Sequence, residues 1–178
     1  RSKSEVISEM ELRVMLKTAS IQGVIEKEQD VIHERVFYFS DKRARHLMTH
    51  RVDVDWININ KPQTELIEQI VGARHSKIIA CEDNLDNFVG VITIKEVLVE
   101  LLNNRDFSIK QFVEEPLIVP STIRAQRVLD LFKKNQQYMA VVVDEYGNFE
   151  GILTLHDIIE NLVGDMPQED EQIEPDIF

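Results

Sequence analysis

Apolar and polar positions fall into two regimes along the chain. Over the first fifty residues the apolar side chains recur at helical spacing. Ser8-x-x-Glu11 opens the first run as a capping box, ahead of Met10, Val14 and Leu12, Met15, Leu16. Gly23 is placed to end that helix, and a second stripe holds Val31, Ile32, Arg35, Val36 and Phe39. Ser40 or Asp41 can cap a short third helix with Arg45, Leu47 and Met48. From Val54 onward, short β-type runs alternate with helical ones.

The second regime repeats itself. At an offset of 61 residues, Asp83 meets Asp144, and Asn87-Phe88-Val89-Gly90-Val91-Ile92-Thr93 meets Asn148-Phe149-Glu150-Gly151-Ile152-Leu153-Thr154. Ile94, Val97, Leu98 and Leu101 fall on Leu155, Ile158, Ile159 and Leu162; upstream, Ile57, Ile67 and Ile70 fall on Ile118, Val128 and Leu131, with no gap. Each copy reads strand–helix–strand–strand–helix: 54–59, 64–73, 78–81, 88–92 and 94–102 in the first, 117–119, 124–135, 139–143, 149–153 and 155–163 in the second. Residues 144–148 carry the Gly and Asn of a hairpin loop, and the unbroken apolar run 140–143 predicts a strand covered on both faces. One unit of about 55 residues buries too little surface to be stable alone. The fold class is therefore α+β: a tandem β-α-β-β-α repeat after N-terminal helices, with the two copies packed sheet to sheet and clefts between them. The division is 1–47 helical lead, 48–109 first repeat, 110–166 second repeat and 167–178 acidic tail.

Composition narrows the function. The 178 residues carry 20 Lys and Arg against 32 Asp and Glu, a net charge of −12, so no nucleic-acid partner is expected, because most of the surface repels phosphate. A single cysteine, Cys81, excludes an internal disulfide framework and a cysteine-rich zinc site, and its strand position reads as a small buried apolar group. No apolar run approaches the roughly 18 residues of a membrane span. No Ser, Cys or Lys stands in a nucleophile motif, so an enzyme is not expected.

The sharpest chemical pattern is Gly151-x-x-Thr154-x-x-Asp157 at a strand-to-helix junction. A Thr hydroxyl at a helix start can donate to a phosphate that the free N–H groups and helix dipole also favour. An acid three residues on can accept both hydrogens of a ribose diol, as acids do in dinucleotide folds. The same spacing also makes a helix cap that needs no ligand. In the first copy the pattern is Gly90-x-x-Thr93-x-x-Glu96. There Thr-x-x-Glu is expected to be the better capping box, and Glu96, one methylene longer, to crowd a ribose. An occupied cleft is thus expected at the second motif.

Two copies of this unit, each closing on G-h-h-T-x-x-[DE], resemble a CBS-domain pair, or Bateman module. The resemblance sharpens with Met48-Thr49-His50-Arg51, Arg74-His75-Ser76-Lys77, Met139-Ala140-Val141-Val142-Val143-Asp144-Glu145-Tyr146-Gly147, Leu153-Thr154-Leu155-His156-Asp157-Ile158-Ile159-Glu160 and Val163-Gly164-Asp165. These are similar to the CBS pair of the CorC/HlyC hemolysin-like family, relatives of the CNNM magnesium transporters. The acidic lead Glu11-Leu12…Gly23-Val24-Ile25-Glu26…Glu28 is also similar to that family's segment ahead of the pair. The resemblance implies a module on the cytoplasmic side of the bacterial inner membrane. In the longer protein it follows a transmembrane domain, precedes a small C-terminal domain, and forms a homodimer. It implies an adenine nucleotide, ATP, ADP or AMP, with Thr49 and His75 beside the base, Ile152 against the ring, Thr154 at the phosphates and Asp157 at the ribose. Against a charge of −12, Mg²⁺ accompanying ATP is expected to help. Family members often have Pro where His50 stands and Gly where Asn148 stands; neither change removes a ligand group.

Other constellations read more plainly. His46 and His50 have the i,i+4 spacing of a shared metal, but Arg45 and Arg51 flank them and no acid joins them, which fits a polar helix face. Lys42-Arg43-x-Arg45 with Arg51 can lean toward nucleotide phosphates or an anionic surface, or form a solvated face. The tail acids Glu169, Asp170, Glu171, Glu174 and Asp176 fit no EF-hand loop and read as a solvated linker. Two functions stand against each other: a nucleotide-regulated module and a structural dimerisation module.

Overall fold

The computed structural model describes residues 41–163 together with Glu11, Val14 and Met15, which are helical. The expected lead helices and the acidic tail otherwise lie outside the described residues. A short helix α1 (Ala44–Leu47) leads into β1 (Thr49–His50) and a 3₁₀ turn at Arg51–Asp53. The first repeat follows as β2 (Trp56–Asn58), α2 (Gln63–Val71), β3 (Lys77–Cys81), β4 (Phe88–Thr93) and α3 (Ile94–Leu102). A 3₁₀ turn at Ile109–Phe112 bridges to β5 (Leu117–Pro120), α4 (Ala125–Asn135), β6 (Met139–Val143), β7 (Phe149–Thr154) and α5 (Leu155–Val163). The five predicted elements of each copy are all present. The third helix differs from expectation: Arg43, not Ser40 or Asp41, is its N-cap, and Met48 lies beyond its end.

The repeats form two sheets in the orders β2-β3-β4 and β1-β7-β6-β5. In each, a parallel pair (β2 with β3, β5 with β6) is extended by an antiparallel hairpin. Strand alternation sorts the side chains. Ile78, Ala80 and Ile92 pack against Leu66, Ile70 and Val97 of their own helices, and Ala140, Val142 and Leu153 do the same with Val128, Phe132 and Ile158. The opposite faces meet each other: Ile79, Cys81 and Val91 join Met139, Val141 and Phe149 in one buried cluster. The layers run helices, sheet, sheet, helices, so β6 is buried on both faces as its unbroken apolar run implies.

Strand register corrects the ungapped repeat alignment. Ala80 pairs with Gly90 and Val142 with Gly151, so β3 and β6 match at an offset of 62, while the elements after the hairpin match at 61. The extra residue lies in the first hairpin: Glu82 N–H bonds the Asn87 carbonyl where Asp144 N–H bonds that of Asn148, one residue closer. Asp83, in the left-handed region at φ 66°, therefore has no counterpart in Asp144. Its carboxylate accepts from the Asn58 and Asn60 side-chain amides instead. Upstream, buried Ile57 matches buried Val119, not Ile118, which is 49% exposed. Leu66 and Ile70 match Val128 and Phe132.

The chain exchanges edges between the repeats. β1, which precedes β2 of the first repeat, pairs antiparallel with β7 of the second, Thr49 opposite Ile152 and His50 opposite Gly151. In return Glu114, which precedes β5 of the second repeat, bridges to Val91 of β4 in the first. Both crossings use the motif glycine: a methyl at Gly151 would overlap the Thr49 carbonyl oxygen, and one at Gly90 would overlap that of Glu114. In space Ala44 and Leu47 belong to the second core, and Phe112 and Val113 to the first.

Candidate functional site

At the start of α5 the two motif side chains face each other. Thr154 N–H donates to Asp157 Oδ2 at 3.0 Å, and Asp157 N–H donates to Thr154 Oγ1 at 3.1 Å. Leu155 N–H is taken by the Tyr138 carbonyl at 2.9 Å, which leaves His156 N–H as the orphan donor of the first turn among the described residues. Both motif residues are half-buried. The cap does not exhaust them: the Thr154 hydroxyl hydrogen can still be donated, and Asp157 Oδ1 has no partner among the described residues.

The first copy reverses the expected contrast. Thr93 is the N-cap of α3 but makes no side-chain capping bond, so Thr-x-x-Glu is not the capping box here and Thr-x-x-Asp is. The shorter Asp157 side chain reaches its own N-cap amide, while Glu96 is exposed. A shallow depression of about 330 Å³ flanks it, lined by Lys95, Glu96, Val99, Glu100 and Phe112. This depression belongs to the first copy, away from Thr154 and Asp157.

The remaining predicted site residues are only partly gathered. Thr49 of β1 is the cross-strand partner of Ile152, which lies two residues before Thr154 on β7. His75 stands on the exposed loop before β3 in the other sheet, with Nε2 3.9 Å from Asp55 Oδ2. Arg51 does not lie toward the motif; it bonds Asp86 Oδ1 at 3.1 Å and the Phe149 carbonyl at 2.9 Å, at the far end of β7, and so ties the two hairpins together. Residues 42–45 bond the loop before α4, with Ala44 N–H on Ile123 O, Arg45 N–H on Ser121 O, and Ala125 N–H on Lys42 O. His46 and His50 do not share a helix face: His46 Nδ1 accepts from Arg43 N–H at 3.0 Å, and His50 is in β1. No group of three metal-ligating side chains occurs among the described residues.

Sequence reading missed the Tyr138 and Ser76 carbonyls that cap α5 and α3. Backbone acceptors carry no side-chain signature, and only the offset of 62 set by the strand register pairs these two positions. Cys81 is buried between the sheets, and desolvation pushes its thiol up to about 12.

With this geometry in hand, comparison with known proteins is specific. The family model described as "CBS domain" matches residues 109–164. Hemolysin C of Brachyspira hyodysenteriae is 32% identical over 158 residues, covering 86% of this chain and 58% of that protein, so the chain spans less than two thirds of its length. Among solved structures, the CBS domain of the bacterial CNNM/CorC family Mg²⁺ transporter in complex with ATP is 26% identical, with a TM-score of 0.69 over 78% of this chain and 99% of that one. A CBS-domain pair with bound AMP from Klebsiella pneumoniae is 25% identical, with a TM-score of 0.63 over 68% and 98%. No helix among the described residues is long and apolar enough to cross a membrane. The second unit matches the CBS-domain family, and the whole chain, with two matched β-α-β-β-α units and exchanged edges, is similar to the CBS domains of the hemolysin C and CorC/CNNM kind.

Proposed function

We propose that this chain is a regulatory module that binds an adenine nucleotide at the start of α5 and, from the cytoplasmic side of the membrane, controls an Mg²⁺- or Co²⁺-moving transporter of the CorC/hemolysin type. One observation carries the reading: a half-buried Thr154 hydroxyl, an orphan His156 N–H and a free Asp157 carboxylate oxygen converge on one turn. The hydroxyl and amide suit a phosphate, and the carboxylate suits a ribose diol. Ile152 and Thr49 sit beside them for the base, with His75 contributed from the other sheet. The ATP and AMP complexes of related CBS domains support the same ligand class. With a net charge of −12, ATP enters best with Mg²⁺. In the longer protein the module pairs with a second copy and acts on a transmembrane domain. A ligand achieves this only by binding two states unequally.

Isothermal calorimetry with ATP, ADP and AMP, with and without Mg²⁺, tests the site. Asp157→Ala is expected to weaken binding about 10–100-fold, the worth of one or two hydrogen bonds to a charged group. No heat at millimolar nucleotide, or unchanged binding by the variant, refutes it. The reciprocal Thr154–Asp157 cap favours a second reading, a dimerisation module in which these residues only start a helix. On that reading ATP leaves the melting temperature unchanged, whereas nucleotide binding raises it by several degrees.

A further inference from the structure

The two copies carry the same motif on the same strand, but different chain feeds the two edges. β7 receives β1, so its neighbour is the segment arriving from residues 1–41. β4 receives Glu114, so its neighbour is the internal connection between the repeats. The described residues of the arriving segment are fastened to the second copy at several points. Ala44 and Leu47 are buried among α4 and α5 side chains, residues 42–45 bond the loop before α4, and Arg51 bonds the Phe149 carbonyl. Further upstream, Glu11 lies 3.6 Å from Lys133 Nζ on α4. Before β2 begins, its side-chain pairs to the first copy among the described residues are Arg51 with Asp86 and Asp55 with His75.

We propose that the β1–β7 seam is a latch coupling the Thr154/Asp157 turn to the upstream chain, while the corresponding seam at Val91 couples the first motif only to the connection between repeats. The physical basis is shared structure. Thr49 pairs with Ile152, two residues before Thr154, and Leu47 packs in the same core as Leu155 and Ile158. Lifting β1 leaves β7 an unpaired edge and uncovers the first turn of α5, so the cap loosens with the seam. Coupling is reciprocal: whatever steadies the cap also steadies the seam. The ligand half of this proposal rests on the nucleotide reading above; the seam half does not.

Amide hydrogen exchange on the full chain tests both halves. Gly151→Ala puts a methyl into the Thr49 carbonyl and is expected to speed exchange about tenfold or more at residues 49–50 and at the Thr154 and Asp157 amides, with 109–114 unchanged. Gly90→Ala, the matched control, is expected to do the reverse: faster exchange at 109–114 and at the start of α3, with 49–50 unchanged. If Gly151→Ala does not fold, Leu47→Ala opens the same seam from the α1 side, and Phe112→Ala is its first-copy control. The seam half is overturned if the Thr154 and Asp157 amides stay protected when 49–50 open, or if both seams open together in either variant. With ATP, wild type is expected to gain protection at 49–50; calorimetric binding without that gain overturns the ligand half. Absence of any binding overturns the nucleotide reading itself, while the seam result is read from the ligand-free proteins.

Discussion

Phe88 and Phe149 occupy the same place in the two repeats, and their rings meet edge to face at 5.7 Å with 64° between planes. Sequence equivalence says that losing either ring costs the same. The structure says otherwise, because Phe149 is fully buried between the sheets and Phe88 is only half-buried. Both variants lose the ring–ring contact, worth about 0.5–1.5 kcal/mol. Phe149→Ala also removes a wholly desolvated side chain and leaves a cavity bounded by Val141 and Met139, for a total of about 3–5 kcal/mol. At Phe88 roughly half the transfer contribution is lost and water can fill the space, so Phe88→Ala is expected to cost about 2 kcal/mol. Urea unfolding followed by far-UV circular dichroism measures both, and an unchanged m-value licenses the comparison. A domain of this size has about 5–15 kcal/mol to lose, so both variants remain measurably folded or reveal the gap by its absence. Equal losses, or a larger loss at Phe88, refute the unequal burial on which the sandwich geometry depends.

Further predictions separate equivalent positions in the same way. Thr154→Ala is expected to lower stability by about 1 kcal/mol through loss of the Asp157 N–H cap, while Thr93→Ala, whose hydroxyl caps nothing, stays within about 0.5 kcal/mol in the same denaturation assay. Partial desolvation raises the Asp144 carboxyl, but hydrogen bonds from the Asn148 backbone and side chain and from the Tyr146 and Gly147 backbone outweigh it and hold the group below its usual range. Its stabilisation is therefore present above the ordinary carboxylate pKa of about 4 and lost as pH falls through the lowered folded value. Asp144→Asn should flatten that acid limb in melts from pH 6 to about 2, and an unchanged slope refutes the assignment. Cys81, with its thiol pushed up to about 12, should resist thiol reagents at pH 8 in the native protein and react on unfolding; fast native labelling contradicts its burial.

The repeat was legible because both copies write the same turn chemistry and the same helical stripe. Every strand and helix after Val54 follows from it. What the sequence could not reveal was the single-residue slip. Ile57 and Ile118 are both isoleucine, and only the ladder shows that the buried partner of Ile57 is Val119. Equally hidden was the difference between Thr93 and Thr154, since a capping signature states what a side chain can do and not whether a competing geometry wins. Arg51 looked available to a phosphate by charge alone, yet a guanidinium beside two hairpins is satisfied locally by Asp86 and the Phe149 carbonyl.

The duplicated fold therefore has two chemically unequal ends. In the second copy the motif acid is short enough to close on its own helix start, and the neighbouring strand comes from the upstream chain. In the first copy the helix start has no side-chain cap and Glu96 lines an open depression, and the neighbouring segment is internal. Duplication supplies two candidate sites, but only one is wired to the residues that precede the repeats. Exchanging Glu96 and Asp157 in a double variant separates composition from wiring. If wiring governs the response, a ligand moved to the first motif by Glu96→Asp with Asp157→Glu changes hydrogen exchange at 109–114 and leaves 49–50 untouched; a response that stays at 49–50 places the coupling elsewhere in the molecule.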